Sequence, residues 1–511
     1  MELSQTLRRA ALVNADGVAA IDGPIRRTWR EMGDRVARLA TGLTGLGVGD
    51  GARVAILAGN GIGYWEALYA ILRIGAVAVP LNTRLTEEEL RFQLDDAGAI
   101  LLMVDDGFAD MARMLRSETL TTIIGLGGST AGDVSADTLI ERNAPMTGFA
   151  MGSDRLAGIY YTGGTTGLPK GVMLSHGNLW AMSCNLVMHL KVDQESVILH
   201  SAPMFHLADF AIFVATMVAG THVFIPRFDD ETMLQAIAQH KVTHSFTVPL
   251  MIDRIARHPR LAEFDTSSLK VLGYGGAPMP RGTYEHARAT FPEIDFCQGF
   301  GMTEMPAHTF LDAAAHREES SAKKLRSCGQ AAYCYEIRIC DEHGNPVPPN
   351  TFGEIVGRGD NVMQGYWNRP EETAAVLRDG WMHSGDAGYM DEDGYVYITD
   401  RFKDMIVSGG ENVYSIEVEN VVSRYPGVLE CAVIGLPDEK WGERVHAVLV
   451  MAPDAAFDQA AFDRYCHADL AGYKCPRTAE MQRDPLPRSA AGKVLKRELR
   501  AARTSPAPAA A

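Results

Sequence analysis

Between Tyr161 and Val172 the chain runs Tyr161-Thr162-Gly163-Gly164-Thr165-Thr166-Gly167-Leu168-Pro169-Lys170-Gly171-Val172, and the ten residues from Thr162 to Gly171 hold four glycines, three threonines and one lysine. Glycines let a backbone curl around an anion, threonine hydroxyls add donors, and lysine adds a point charge. The stretch is suited to holding a polyphosphate. Residues 156–161 before it read as a strand and 175–188 after it as a helix. A plain Gly-rich hairpin turn is the bland alternative, and it leaves Lys170 and the clustered hydroxyls unexplained. A P-loop requires Gly-Lys-Ser/Thr. Here Pro169-Lys170-Gly171 stands in that place, so two defining positions are lost.

On the N-terminal side, apolar spacing predicts helices over 29–43, 64–74 and 87–96, alternating with strands over 54–57, 76–80 and 100–104. On the C-terminal side the rhythm returns at 223–225, 232–240, 245–248 and 271–275. Strands separated by helices of this length imply βαβ units and parallel sheets. Past about residue 320 the texture changes. Residues 353–357 and 395–399 read as antiparallel strands, with a tight turn at Asp391-Glu392-Asp393-Gly394. From Asp400 onward, a helix at 416–422, strands at 429–434 and 445–450, and a helix at 459–470 suffice for a small α+β domain.

The chain has 511 residues, 46% hydrophobic and 22% charged, which suits a globular protein with a large core. At roughly 150 residues per domain this length suggests about three units. The net charge of −16, from 48 basic and 64 acidic residues, argues against a nucleic-acid surface or an anionic membrane as partner. Eight cysteines include no CxxC pair, so reduced thiols in a cytoplasmic protein are expected. The N-terminus lacks a signal-like apolar segment, and the most apolar stretch, 207–220, contains Asp209 and is too short to span a bilayer. A homodimer is left open.

Further motifs follow in order. Gly273-Tyr274-Gly275-Gly276-Ala277-Pro278 ends a strand. Gln298-Gly299-Phe300-Gly301-Met302-Thr303-Glu304 presents an aromatic ring between glycines, with a hydroxyl and a carboxylate behind it. Such a ring can stack on a base, and oxygen ligands suit a hard cation. Trp381-Met382-His383-Ser384-Gly385-Asp386, Asp400-Arg401-Phe402-Lys403, Ser408-Gly409-Gly410 and Pro487-Arg488-Ser489-Ala490-Ala491-Gly492-Lys493 complete the series.

Together these motifs resemble the adenylate-forming superfamily of acyl- and aryl-CoA synthetases, peptide-synthetase adenylation domains and beetle luciferases. The resemblance spans nearly the whole chain. It implies a large N-terminal α/β domain over 1–400, with two parallel-sheet subdomains and a small β subdomain. A hinge at 401–403 about Lys403 and a mobile α+β domain over 404–503 would follow, while the Ser/Pro/Ala tail at 504–511 reads as disordered from its composition.

It also implies roles. Thr162, Gly163, Gly164, Thr165, Thr166, Gly167 and Lys170 would hold the phosphates of ATP, and Thr162 and Glu304 a magnesium ion. Gly275, Gly276, Ala277, Gln298, Gly299, Phe300, Gly301, Met302 and Thr303 would line the nucleotide site, with Asp386 and Arg401 on the ribose. The family usually has tyrosine where this chain has Phe300, so stacking survives and a hydroxyl contact does not. Lys493 would be the catalytic lysine bridging acyl carboxylate and α-phosphate. His206 would gate the way to coenzyme A, whose arm would meet Ser408, Gly409 and Gly410. The acyl pocket would draw on Phe205, His206, Asp209, Phe210, Val248, Tyr274, Met302, Met305 and His308, taking a medium or long fatty acyl chain, which the resemblance favours, or an aryl acid such as a cinnamate. The expected reaction converts the acid to acyl-AMP with loss of pyrophosphate, then to the CoA thioester with loss of AMP. Transfer to a carrier protein, a luciferase-like oxidation and a non-enzymatic nucleotide-binding module are the alternatives.

Overall fold

The computed structural model describes residues 2–149, 152–162, 168–277, 279–317, 323–401, 404–409, 411–453, 455, 457–488 and 494–504, with only the backbone described at 208, 400, 401 and 412. Gly163, Gly164, Thr165, Thr166, Gly167, Lys403, Gly410 and Lys493, and the Arg401 side chain, therefore lie outside the described residues. The chain forms two compact units. One comprises 1–162, 169–336 and 357–382; the other comprises 163–168, 337–356 and 383–511.

The first unit is α/β and holds two large sheets. The eight-stranded sheet has the order Gly365–Tyr366, Lys170–Ser175, Leu156–Thr162, Val77–Pro80, Arg53–Leu57, Leu101–Val104, Thr122–Gly125 and Val134–Ser135. The nine-stranded sheet runs Gln330–Ala331, Met305–Leu311, Asp295–Met302, Val271–Gly275, His244–Thr247, Val197–His200, Thr221–Phe224, Val18–Asp22 and Ile25–Thr28. Its six central strands are mutually parallel. Of these, Val197–His200, Thr221–Phe224, His244–Thr247 and Val271–Gly275 are buried almost throughout, as parallel strands covered on both faces are.

Each sheet is wound in two directions. From Val197–His200 the chain crosses to Thr221–Phe224 on one side and then to His244–Thr247 on the other. From Arg53–Leu57 it crosses to Val77–Pro80 and then returns to Leu101–Val104 on the opposite flank. Such reversals open a crevice at the carboxyl ends of the two strands concerned. The crossover helices begin on side-chain caps where the sequence provides them. Thr28 with Glu31, Thr86 with Glu89, and Ser175 with Asn178 each form a capping box.

In the second unit, Trp381–Met390 and Val396–Arg401 pair antiparallel about the Asp391–Gly394 turn. A separate sheet orders Glu411–Val413, Ile406–Ser408, Gly442–Met451 and Val428–Asp438, with Thr478–Gln482 added parallel to Gly442–Met451. The helices Ser415–Val422 and Gln459–Asp469 supply Val418, Val422, Phe462 and Cys466 to its core. This is the expected small α+β domain. No described helix is long and apolar enough to cross a membrane.

Candidate active site

The stem of the glycine-rich loop is a β-hairpin. Thr162 and Lys170 are opposed at the ends of Leu156–Thr162 and Lys170–Ser175, and the Thr162 hydroxyl lies 3.4 Å from the Lys170 carbonyl. The helix begins only at His176. Strand–loop–strand replaces the strand–loop–helix of a P-loop, so the topology excludes the Walker arrangement independently of the sequence. Asp96 fastens this stem: it accepts from the Tyr161 hydroxyl at 2.7 Å, from the Arg369 guanidinium at 3.1 Å, and through its carbonyl from the Trp367 indole at 3.0 Å.

Tyr366 joins the stem to Glu304. Its strand pairs with the hairpin, Tyr366 opposite Val172. The Lys170 ammonium sits 4.9 Å over its ring and pairs with Glu372. The Tyr366 hydroxyl donates to Glu304 Oε1 at 2.8 Å, and the Glu304 carbonyl accepts from Met363 N–H at 3.0 Å. Hydroxyl, ammonium and buried carboxylate are thus tied through one phenol. The sequence reading missed Tyr366. Its signal was the pair Tyr366-Trp367 between Gly365 and Pro370, aromatics set among turn residues.

Glu304 ends the nine-stranded sheet's contribution. Asp295–Met302 folds back as Met305–Leu311, with Met302 opposite Met305. Phe300 is half-buried and Gly301 exposed, so the ring and the bend are open to a ligand. Gln298 and Gly299 pair with Tyr274 and Gly275. The ring of Phe246 lies under this strand pair: a Cβ on Gly273 would sit 2.5 Å from it, and one on Gly275 would meet the Gly299 carbonyl at 2.4 Å. Phe210 meets Phe246 edge-on at 4.4 Å. Gly276 and Ala277 beyond the strand are exposed, and Val248 is half-buried beside them.

Strand parity separates other expected pocket residues. The sequence places Tyr274 on the acyl wall, but it points to the opposite face from Phe246, among Ile252, Tyr284 and Phe296. Its hydroxyl donates to His316 Nε2 at 2.9 Å, because His316 Nδ1 already donates to the Asp312 carbonyl. Asp209, expected in the acyl pocket, is buried and binds His200 Nδ1 at 2.8 Å. Burial raises its carboxyl above the usual range. His308 is fully buried, donates Nδ1–H to the Met305 carbonyl at 2.9 Å, and stands edge-on to Phe300 at 4.7 Å. Burial pushes its imidazole down to about 4, so it is neutral. Met305 is buried, Met302 and Phe205 half-buried, and His206 exposed.

In the second unit, Asp386 stands opposite Arg401 across the hairpin, and its N–H donates to the Ser384 hydroxyl. Ser408 is buried. Gly409 takes φ +64° with its N–H on the Trp441 carbonyl at 2.8 Å, and a Cβ there would strike the Trp441 ring at 2.8 Å.

Among the described residues no three His, Cys, Asp or Glu side chains gather as a metal site. Glu304 is a buried carboxylate, and a single such oxygen donor is compatible with magnesium, which keeps waters and takes much of its shell from substrate phosphates.

Residues 7–367 match the family described as AMP-binding enzyme, and residues 417–493 match the AMP-binding enzyme C-terminal domain. The chain belongs to the AMP-binding enzyme family. A family member from an Amycolatopsis species, a feruloyl-CoA synthase, is 41% identical over 494 residues, covering 96% of this chain and 97% of the relative. A long-chain-fatty-acid–CoA ligase of Mycobacterium tuberculosis is 34% identical over 481 residues, 93% of each chain. The o-succinylbenzoate CoA synthetase of Bacillus subtilis, solved with its acyl-adenylate intermediate, superposes with a TM-score of 0.85 at 31% identity and covers 97% of each chain. The large α/β domain and smaller α+β domain are those of the AMP-binding family.

Proposed function

We propose that this chain is an ATP-dependent acid–CoA ligase whose acid is an aromatic carboxylate. The observation that carries the ligase reading is the Lys170–Tyr366–Glu304 linkage, which sets cation, hydroxyl and carboxylate beside the phosphate-loop stem. The aromatic assignment rests on the greater likeness to a feruloyl-CoA synthase than to a fatty-acid ligase, 41% against 34% identity.

A carboxylate is a poor electrophile because its leaving group would be oxide. One carboxylate oxygen attacks the α-phosphorus of ATP, and pyrophosphate leaves. The CoA thiolate then attacks the acyl carbon, and AMP leaves. Thr162, the loop 163–167 and Lys170 orient the phosphates, and Lys493 offsets charge between carboxylate and α-phosphate. Phe300 stacks on adenine, and Asp386 with Arg401 holds the ribose. Magnesium, held by Glu304 and Thr162, would neutralise charge on the phosphates. No protein nucleophile takes part. The segment 404–503 turns about Lys403 between the two steps, bringing Ser408 to Gly410 to the CoA arm. We place the enzyme in the cytoplasm, consistent with a sequence whose eight cysteines include no CxxC pair.

The test is AMP and thioester formation from ATP and CoA with hydroxycinnamates and with straight-chain acids. Hydroxycinnamates should exceed dodecanoate in kcat/KM by about tenfold or more, equivalent to roughly 1.4 kcal/mol. A reversed order removes the aromatic assignment. Absence of AMP with every acid removes the ligase.

A further inference from the structure

The segment 201–208 leaves the carboxyl end of Val197–His200 at the crevice of the nine-stranded sheet and carries half-buried Phe205 and exposed His206. It is held from outside its own sheet. Asn60 lies in the turn after Arg53–Leu57, at the reversal point of the other sheet. Its amide donates to the His200 carbonyl at 3.2 Å and the Ala202 carbonyl at 2.8 Å, and its oxygen accepts from Met204 N–H at 2.8 Å. One side chain thus satisfies three backbone groups of a single loop.

The neck of the loop is closed by Asp209. The direction of the buried chain behind it follows from its far end. The Thr216 hydroxyl donates to the Ile212 carbonyl at 2.7 Å, so it accepts from His222 Nε2 at 3.2 Å. His222 is kept neutral by burial, so its Nδ1 accepts from His200 Nε2 at 3.0 Å. His200 and Asp209 are left sharing one proton, a pair that is neutral overall wherever that proton sits. A buried pair with no net charge avoids the cost of an uncompensated ion. It fixes the distance between residues 200 and 209. Inside the loop, His206 N–H donates to the Pro203 carbonyl and Asp209 N–H to the His206 carbonyl.

We propose that Asn60 and Asp209 are positioning residues that hold Phe205 and His206 at the mouth of the acid site, a role that rests on the ligase reading above. Their action is through the loop rather than on the reacting atoms. Loss of the Asn60 clamp misplaces the loop by a fraction of its length, enough to change how the acid is seated.

The test compares Asn60→Ala, Asp209→Ala and Asp209→Asn with the wild type. Asn60→Ala should raise the KM for the acid about tenfold or more while the KM for ATP stays within about twofold. Asp209→Asn can still donate an amide hydrogen to His200 Nδ1, so it should restore most of what Asp209→Ala loses. Equal rises in both KM values, or identical behaviour of Asp209→Asn and Asp209→Ala, would overturn the proposal. Hydrogen exchange in Asn60→Ala supplies a second readout that needs no substrate. Protection should fall over 201–208, and an unchanged pattern there overturns the claim. A wild type inert toward every acid counts against the ligase reading, and the exchange result still decides the positioning.

Discussion

The two large sheets of the first unit share a winding rule and differ in what fills the resulting crevice. In the eight-stranded sheet, the gap between Arg53–Leu57 and Leu101–Val104 is closed by the protein itself. Asp105 accepts from Gly59 N–H at 2.7 Å, and the next residue, Asn60, reaches away to the other sheet. In the nine-stranded sheet, the gap between Val197–His200 and His244–Thr247 is bordered by exposed His206, half-buried Phe205 and Val248, and exposed Gly276 and Ala277. Topology supplies a crevice twice, and side chains decide which one stays available to a ligand.

The contrast is broken or sharpened by substitutions on its two sides. The largest effect belongs to Glu304→Gln, which keeps size and a hydrogen-bond acceptor but removes the charge. We expect the adenylation rate to fall about 10²–10³-fold, the range for loss of one preorganised electrostatic contact, with an unchanged melting temperature. A fall of less than about tenfold, below one such contact, would put Glu304 outside the chemistry. Asp105→Ala should behave in the opposite way. It leaves the Gly59 N–H without its acceptor, a loss of about 1–3 kcal/mol of stability. Denaturant unfolding should report that loss while both KM values hold. A rise in the KM for the acid without a loss of stability would mean that the second crevice is not merely filled.

Most of the framework was visible in the residue pattern. The helix expected at 29–43 is Trp29–Gly45, and the strand at 271–275 is Val271–Gly275. Such segments combine apolar periodicity with caps or glycines at their ends. The strand Lys170–Ser175 was missed because a glycine-rich loop before a helix looks like one continuous strand-to-helix turn. Its pairing with Leu156–Thr162 across the loop, and with residues 365–366 nearly 200 positions away, is what makes it a strand, and local spacing does not carry either. The proposed roles of the glycine-rich loop, Glu304 and Phe300 rest on residue types grouped in the sequence, and the structure adds the Tyr366 hydroxyl on Glu304. Asp209 and Tyr274 were not. Whether a buried polar side chain faces a pocket or a neighbouring histidine depends on partners such as His200 and His316, and local spacing carries no trace of those.

Tyr366 is the residue whose role is divided between ring and hydroxyl, and the two parts separate by substitution. Phenylalanine keeps a ring face beneath the Lys170 ammonium, where a partly desolvated cation–π contact is worth about 1–2 kcal/mol. It removes the hydrogen bond to Glu304 Oε1, a contact worth about 1.5–3 kcal/mol where the acceptor is charged. Part of that loss is recovered if water replaces the phenol, so Tyr366→Phe should slow adenylation by only about threefold to tenfold. Tyr366→Leu removes both parts and should fall further, with the KM for ATP rising as Lys170 loses its seat. If phenylalanine matches wild type while leucine fails, the ring alone positions Lys170 and the hydroxyl is a local tie. If both fail equally, orientation of the Glu304 carboxylate through the hydroxyl is what the open side of the molecule requires.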